Sequence, residues 1–175
     1  MKALAAGLIC AAALALAGCY ESKALLLDPK QAVAPLAVGT QTLADEGERP
    51  YDVEISLGPD RWYTINTRDG RGRADRFLFT PLPGGLDGEF AFAVGGRGAW
   101  LYGVAERRDG RIYLDVPFCD LGPARDAALA HGVKIDPKRA MAPSCTFTRG
   151  ADLTGALADY ARRAGKPKLP NLPAG

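Results

Sequence analysis

The stretch "YDVEISL" at 51–57 puts Tyr51, Val53, Ile55 and Leu57 on one side of an extended chain, and Asp52, Glu54 and Ser56 on the other. Successive strand side chains point to opposite faces, so this alternation specifies a half-buried β-strand and does not fit a helix. "GPD" at 58–60 supplies turn chemistry, and "RWYTINT" returns as the partner strand. "VGTQTLA" precedes this pair. "RFLFTPL", "EFAFAV", "AWLYGVAE", "RIYLDVPFC" and "SCTFTR" follow it, separated by Gly, Pro and Asp clusters. The pattern predicts a mainly β fold, an antiparallel meander of about eight strands, closed as a small barrel or folded as a sandwich.

Two helices interrupt the β pattern. "PARDAALAHG" has Pro123 in its first turn and Gly132 at its end, the preferred places for both, and predicts a short helix. "DLTGALADYARRAG" predicts a C-terminal amphipathic helix. Asp152 caps it, Leu153, Ala156, Leu157, Tyr160 and Ala161 share one face, and Arg162 and Arg163 complement its C-terminus. The single β-rich domain is expected over 38–165. Residues 19–37 lead into it as a tether, in which Asp28-Pro29 opens one short helical turn. The proline-rich 166–175 is expected to be an extended, disordered tail.

The chain opens with "MKALAAGLICAAALALA", one positive charge at Lys2 followed by an apolar run from Ala3 to Ala17. A bilayer-spanning helix needs about 20 apolar residues, so this run is too short, but it has the proportions of a secretory signal. Leu16, Ala17 and Gly18 then lead directly into Cys19. The stretch resembles the lipobox of bacterial lipoproteins, with residues 1–18 as the signal peptide. Cys10 is no rival, because Leu8 and Ile9 before it are large. The resemblance implies that Cys19 becomes the new N-terminus, carrying a diacylglycerol and a further acyl chain. Two chains anchor stably, at about 0.8 kcal/mol per buried methylene. Tyr20, rather than aspartate, follows the cysteine, which by the same resemblance implies the outer membrane, facing the periplasm; the inner membrane and the cell surface are the alternatives.

Four cysteines then resolve into roles. Processing removes Cys10, and lipidation uses Cys19. Cys119 and Cys145 are left as an even pair in an oxidising compartment, which favours a disulfide over two thiols or a metal pair. A bridge across their loop of about 27 residues stabilises by on the order of 3–4 kcal/mol.

Chemistry-bearing motifs are sparse. One histidine, His131, cannot build a zinc site alone. Ser22, Ser56 and Ser144 lie in no G-x-S-x-G elbow, and no phosphate-cradling glycine loop is present. No cofactor, metal or catalytic residue is assigned. The chain holds 22 basic and 20 acidic side chains, and losing Lys2 leaves the body nearly neutral, so nucleic acid is not an expected partner. "TRDGRGRADR" at 67–76 gathers Arg68, Arg71, Arg73 and Arg76 against Asp69 and Asp75. It reads as a solvated loop or as a basic tip for anionic envelope groups.

The one candidate surface comes from hairpin register. With Asp109-Gly110 as a two-residue turn, Arg108 opposes Arg111, Ala105 opposes Leu114, Gly103 opposes Val116 and Leu101 opposes Phe118. The last three pairs are assigned to the core. The opposite face then carries Trp100, Tyr102, Glu106, Tyr113 and Asp115, an aromatic and acidic set suited to a ligand or a partner. The alternative is that the C-terminal helix covers it with Leu153, Leu157 and Tyr160. The expected function is a non-catalytic, lipid-anchored envelope protein that binds a partner or supports the envelope. A small-ligand-binding barrel, an inhibitor-like periplasmic module and a hydrolase built on carboxylates alone are the other readings.

Overall fold

The computed structural model describes residues 19–43, 51–67, 75–95, 98–119, 122–133, 135, 144–164 and 169–175. The signal segment 1–18, the arginines at 68, 71 and 73, and the middle of the "GGRG" turn lie outside these residues.

Alternating sequence becomes consecutive hairpins. β2 (Gly39–Leu43), β3 (Tyr51–Leu57), β4 (Tyr63–Thr67), β5 (Asp75–Pro81), β6 (Glu89–Gly95), β7 (Trp100–Arg108) and β8 (Arg111–Asp115) pair antiparallel, each with the next. At the β3–β4 turn, Gly58 N–H donates to the Trp62 carbonyl at 2.9 Å. At the β7–β8 turn, Asp109 and Gly110 both take positive φ, 53° and 70°. That geometry matches the right-handed twist of the flanking strands, and Arg108 faces Arg111 as the Asp-Gly signal requires. Beyond these strands, β1 (Tyr20–Ser22) pairs antiparallel with β7 and parallel with β9 (Cys145–Thr146). β10 (Leu169–Pro173) pairs with β8. Among the described residues the result is a ten-stranded, mostly antiparallel sheet.

At β5–β7 both faces of the sheet are buried, in two separate cores. On one face Val53, Ile55, Tyr63, Phe79, Phe92, Ala105, Ile112 and Leu172 meet. On the other Leu78, Ala91, Ala93, Tyr102 and Val104 pack against α1 (Gly122–Ala130) and α2 (Gly150–Ala164). β6 shows the logic: Phe90, Phe92 and Val94 fill the first core, while small Ala91 and Ala93 let the helices approach.

α1 starts at Gly122-Pro123 and stops at Gly132, whose φ is 76°. Gly132 N–H donates to the Leu129 carbonyl and Val133 N–H to Ala128, a paired cap that uses the glycine's left-handed conformation. α2 begins two residues before the expected cap. Asp152 lies inside the first turn and its carboxylate takes Arg149 at 2.6 and 2.8 Å.

Three expectations need correction. The first concerns closure, because the sheet does not become a barrel. Among the described residues its ends approach at one bridge, Leu36 with Ala174, where Ala37 N–H donates to Pro173 and Gly175 N–H to Pro35, both at 2.9 Å. The reciprocal bonds would need N–H groups on Pro173 and Pro35, which proline lacks, so pairing stops there. The second concerns 19–37, which is packed into the body rather than serving as a tether: Tyr20, Leu27, Ala32 and Leu36 are all core residues. Its aliphatic side chains and the open edge of β7 make docking favourable. Asp28 does cap the one-turn helix Pro29–Gln31, accepting from Lys30 N–H at 3.0 Å. The third concerns the proline-rich end, which supplies β10 rather than a free tail. An edge strand tolerates prolines, and Leu172 is buried.

Gly103 is required by close packing. A Cβ there would lie 2.3 Å from the Asp115 carbonyl and 2.5 Å from the Phe92 ring. Gly103→Ala is therefore expected to lower stability by about 2–3 kcal/mol, the scale of core overpacking, measured by urea denaturation. An unchanged midpoint would contradict this packing.

Candidate functional site

The Asp109-Gly110 turn sets the register of β7 against β8 from Arg108–Arg111 up to Val104–Asp115. Beyond that point β8 leaves β7, and β1 takes the vacated edge: Tyr20 opposes Tyr102, Glu21 opposes Leu101 and Ser22 opposes Trp100. The register expected for the hairpin therefore holds at Ala105–Leu114 and gives way before Leu101–Phe118. Phe118, assigned to the core from sequence, is 50% exposed and bridges Cys19 instead.

This fork divides the aromatic face into parts. Tyr102 is fully buried among the helix-side core residues. Its hydroxyl accepts from Leu26 N–H at 3.0 Å and donates to the Ala24 carbonyl at 3.1 Å, with Ser22 Oγ 2.6 Å away. Burial holds its phenol proton on beyond the ordinary range. Tyr102 thus fastens the N-terminal segment and does not meet solvent. Trp100 is partly buried and tilts against Trp62 at 5.4 Å. Arg76 lies 5.0 Å over the Trp62 ring and pairs with Asp60 at 3.1 Å. Tyr113 stands on β8 opposite Glu106, with the Arg108 guanidinium 4.1 Å over its ring and 3.5 Å from the Glu106 carboxylate.

Asp115 does a different job. It accepts the Tyr160 hydroxyl at 2.8 Å and so ties α2 to β8. Burial, then that carboxylate, push the Tyr160 phenol well above its usual range. Leu153 and Leu157 of α2 lie in the same core as Tyr102, so the helix covers this part of the face. His131, after α1, pairs with Asp159 of α2 at 3.0 Å, and that hydrogen bond holds the Asp159 carboxyl low. Both contacts join structural elements.

The candidate anchor has its own geometry. Cys19 immediately precedes β1, is 3% exposed, and its carbonyl accepts Cys145 N–H at 3.2 Å. Cys119 and Cys145 form a disulfide with Cα atoms 5.7 Å apart. The bridge joins residues on either side of β1, since Phe118 faces Cys19 and Cys145 faces Tyr20. Tyr20 is fully buried and its hydroxyl donates to the Ala124 carbonyl of α1. On the other side of β1, Glu21 accepts from Ser144 at 2.8 Å and Thr146 at 3.3 Å. Sequence reasoning missed Phe118 and Tyr20. Nothing local distinguishes an exposed phenylalanine from a buried one where the hairpin splits.

Deleting one hydroxyl separates the fully buried tyrosine from the half-buried one. Tyr102→Phe strands the Leu26 amide and leaves Ser22 only its bond to the Ala24 carbonyl, and should cost about 1–3 kcal/mol in urea denaturation. Tyr113→Phe, half-buried on β8 between β7 and β10, should stay within about 0.5 kcal/mol. Equal effects would remove the distinction.

Alkaline pH tests burial collectively. Desolvation raises the phenols of Tyr20, Tyr63, Tyr102 and Tyr160. The folded state keeps these protons where the unfolded chain loses them, near pH 10. The resulting stabilisation is complete below about pH 10 and is lost as pH rises through the higher folded-state values. A denaturation series should be flat in this respect up to about pH 10 and decline above it. Absence of the decline would contradict burial of the phenols. No protein family, curated protein or solved structure matches this chain.

Proposed function

We propose that this is a lipid-anchored bacterial envelope protein, acylated at Cys19, whose β domain is non-catalytic and binds a partner or supports the envelope. The observation that carries the reading is Leu16-Ala17-Gly18-Cys19 at the end of a short apolar run, placed directly before the first strand. Cleavage ahead of Cys19 keeps Tyr20 and every element described here. The Cys119–Cys145 bridge suits an oxidising compartment, and the outer membrane facing the periplasm is the proposed location. Packed side chains favour this reading over the ligand-binding barrel: Tyr63, Phe79, Phe92 and Ile112 fill the core where a ligand would sit.

Cys19→Ser tests the anchor. In a bacterial host the native chain should fractionate with membranes and show an acylated N-terminal Cys19 by intact mass. The variant should lose both properties. A native protein with an unmodified N-terminus cleaved elsewhere would overturn the proposal.

A further inference from the structure

The distance between anchor and domain is set by β1. Had 19–37 been a free tether, its positions could reach roughly 60 Å when extended. In the fold the first strand begins at Tyr20, held between Trp100–Tyr102 on one side and Cys145–Thr146 on the other. The slack behind Cys19 is therefore about one residue, roughly 3.5 Å.

The face of the strand that carries Cys19, itself 3% exposed, is also set. Residues directly opposite in an antiparallel bridge share a face, with Cβ atoms about 4.5–5.5 Å apart. Cys19 and Phe118 are such a pair. Tyr20, Cys119 and Cys145 belong to the opposite, helix-covered side. Phe118 is a large apolar side chain left 50% exposed. Two residues from Cys19 on the same face, Glu21 with Ser144 and Thr146 supplies polar groups suited to the headgroup level.

We infer that the folded domain sits directly against the bilayer that holds Cys19, with the Phe118 ring inserted in the lipid interface. This rests on the proposed acylation. The occupant of this surface is the phospholipid leaflet, because the acyl chains and the exposed ring share one side of one bridge. The domain has no reach of its own, so any partner must be met at the membrane surface.

The test uses the mature acylated protein, beginning at Cys19, reconstituted into phosphatidylethanolamine–phosphatidylglycerol vesicles with brominated acyl chains. A tryptophan is placed by Phe118→Trp or, as a control, by Leu86→Trp. Leu86 is 77% exposed on the loop before the Glu89–Glu106 pair. That pair lies four residues along β7 from Tyr102, about 13 Å by strand rise. The tryptophan added at 118 should be quenched at least about twofold by brominated lipid, and the one at 86 much less. Hydrogen exchange avoids any substitution at 118. Amides at 116 and 118 should exchange severalfold more slowly in vesicle-bound native protein than in soluble Cys19→Ser. Acylated protein that floats with vesicles but shows neither effect overturns the seating and leaves the anchor standing. Protein with no acyl mass at Cys19 overturns the anchor, and the seating with it.

Discussion

Strand β7 must satisfy neighbours on both edges while both of its faces are buried. β6 occupies one edge from Trp100 to Glu106. The other edge is shared, β8 below Asp115 and β1 above it. The exchange happens at Gly103, where the Asp115 carbonyl and the Phe92 ring leave no room for a side chain. A Cβ there would push β8 outward or displace the phenylalanine from the sheet-side core. Everything at the N-terminus depends on this vacancy, because β1 has no other antiparallel partner among the described residues.

Once admitted, β1 is held from several directions. Tyr20 and Tyr102 pack across it on the helix side, and their hydroxyls reach Ala124 and the Ala24–Leu26 backbone. The disulfide ties the residues flanking it, contributing on the order of 3–4 kcal/mol in the chain-entropy model for a separation of 26. Fully burying one large apolar side chain contributes about 1.5–3 kcal/mol. Domains of this size are stable by only about 5–15 kcal/mol, so the N-terminal strand and its bridge are a large share of what keeps the fold together. Tyr20 therefore has a packing role that does not depend on any sorting role its position after Cys19 implies.

The other end of the sheet shows the opposite logic. β10 extends the sheet beyond β8 and brings Leu172 into the core, yet Pro173 and Pro35 prevent it from pairing further with 35–37. A sheet whose edges meet at one proline-limited bridge keeps its first core covered without forming a continuous ladder.

Local chemistry was legible. Alternation at Tyr51–Leu57, the Asp109-Gly110 turn, the Gly132 stop of α1 and the apolar stripe of α2 all follow from short-range geometry, and the meander with two helices follows from them. The motif ending at Cys19 and the even pair Cys119–Cys145 also belong to the sequence by itself. Tertiary structure alone decided what covers each face. Phe90 and Ala91 alternate large with small rather than apolar with polar, and that pattern does not say that helices lie over the alanines. It also decided that 20–22 and 169–173 are strands. Each is too short or too proline-rich to signal one, and each forms because a distant edge is left open. The aromatic face dispersed for the same reason: Trp100, Tyr102 and Tyr113 share a side of the sheet, but β1 and α2, far away in sequence, determine which of them meets solvent.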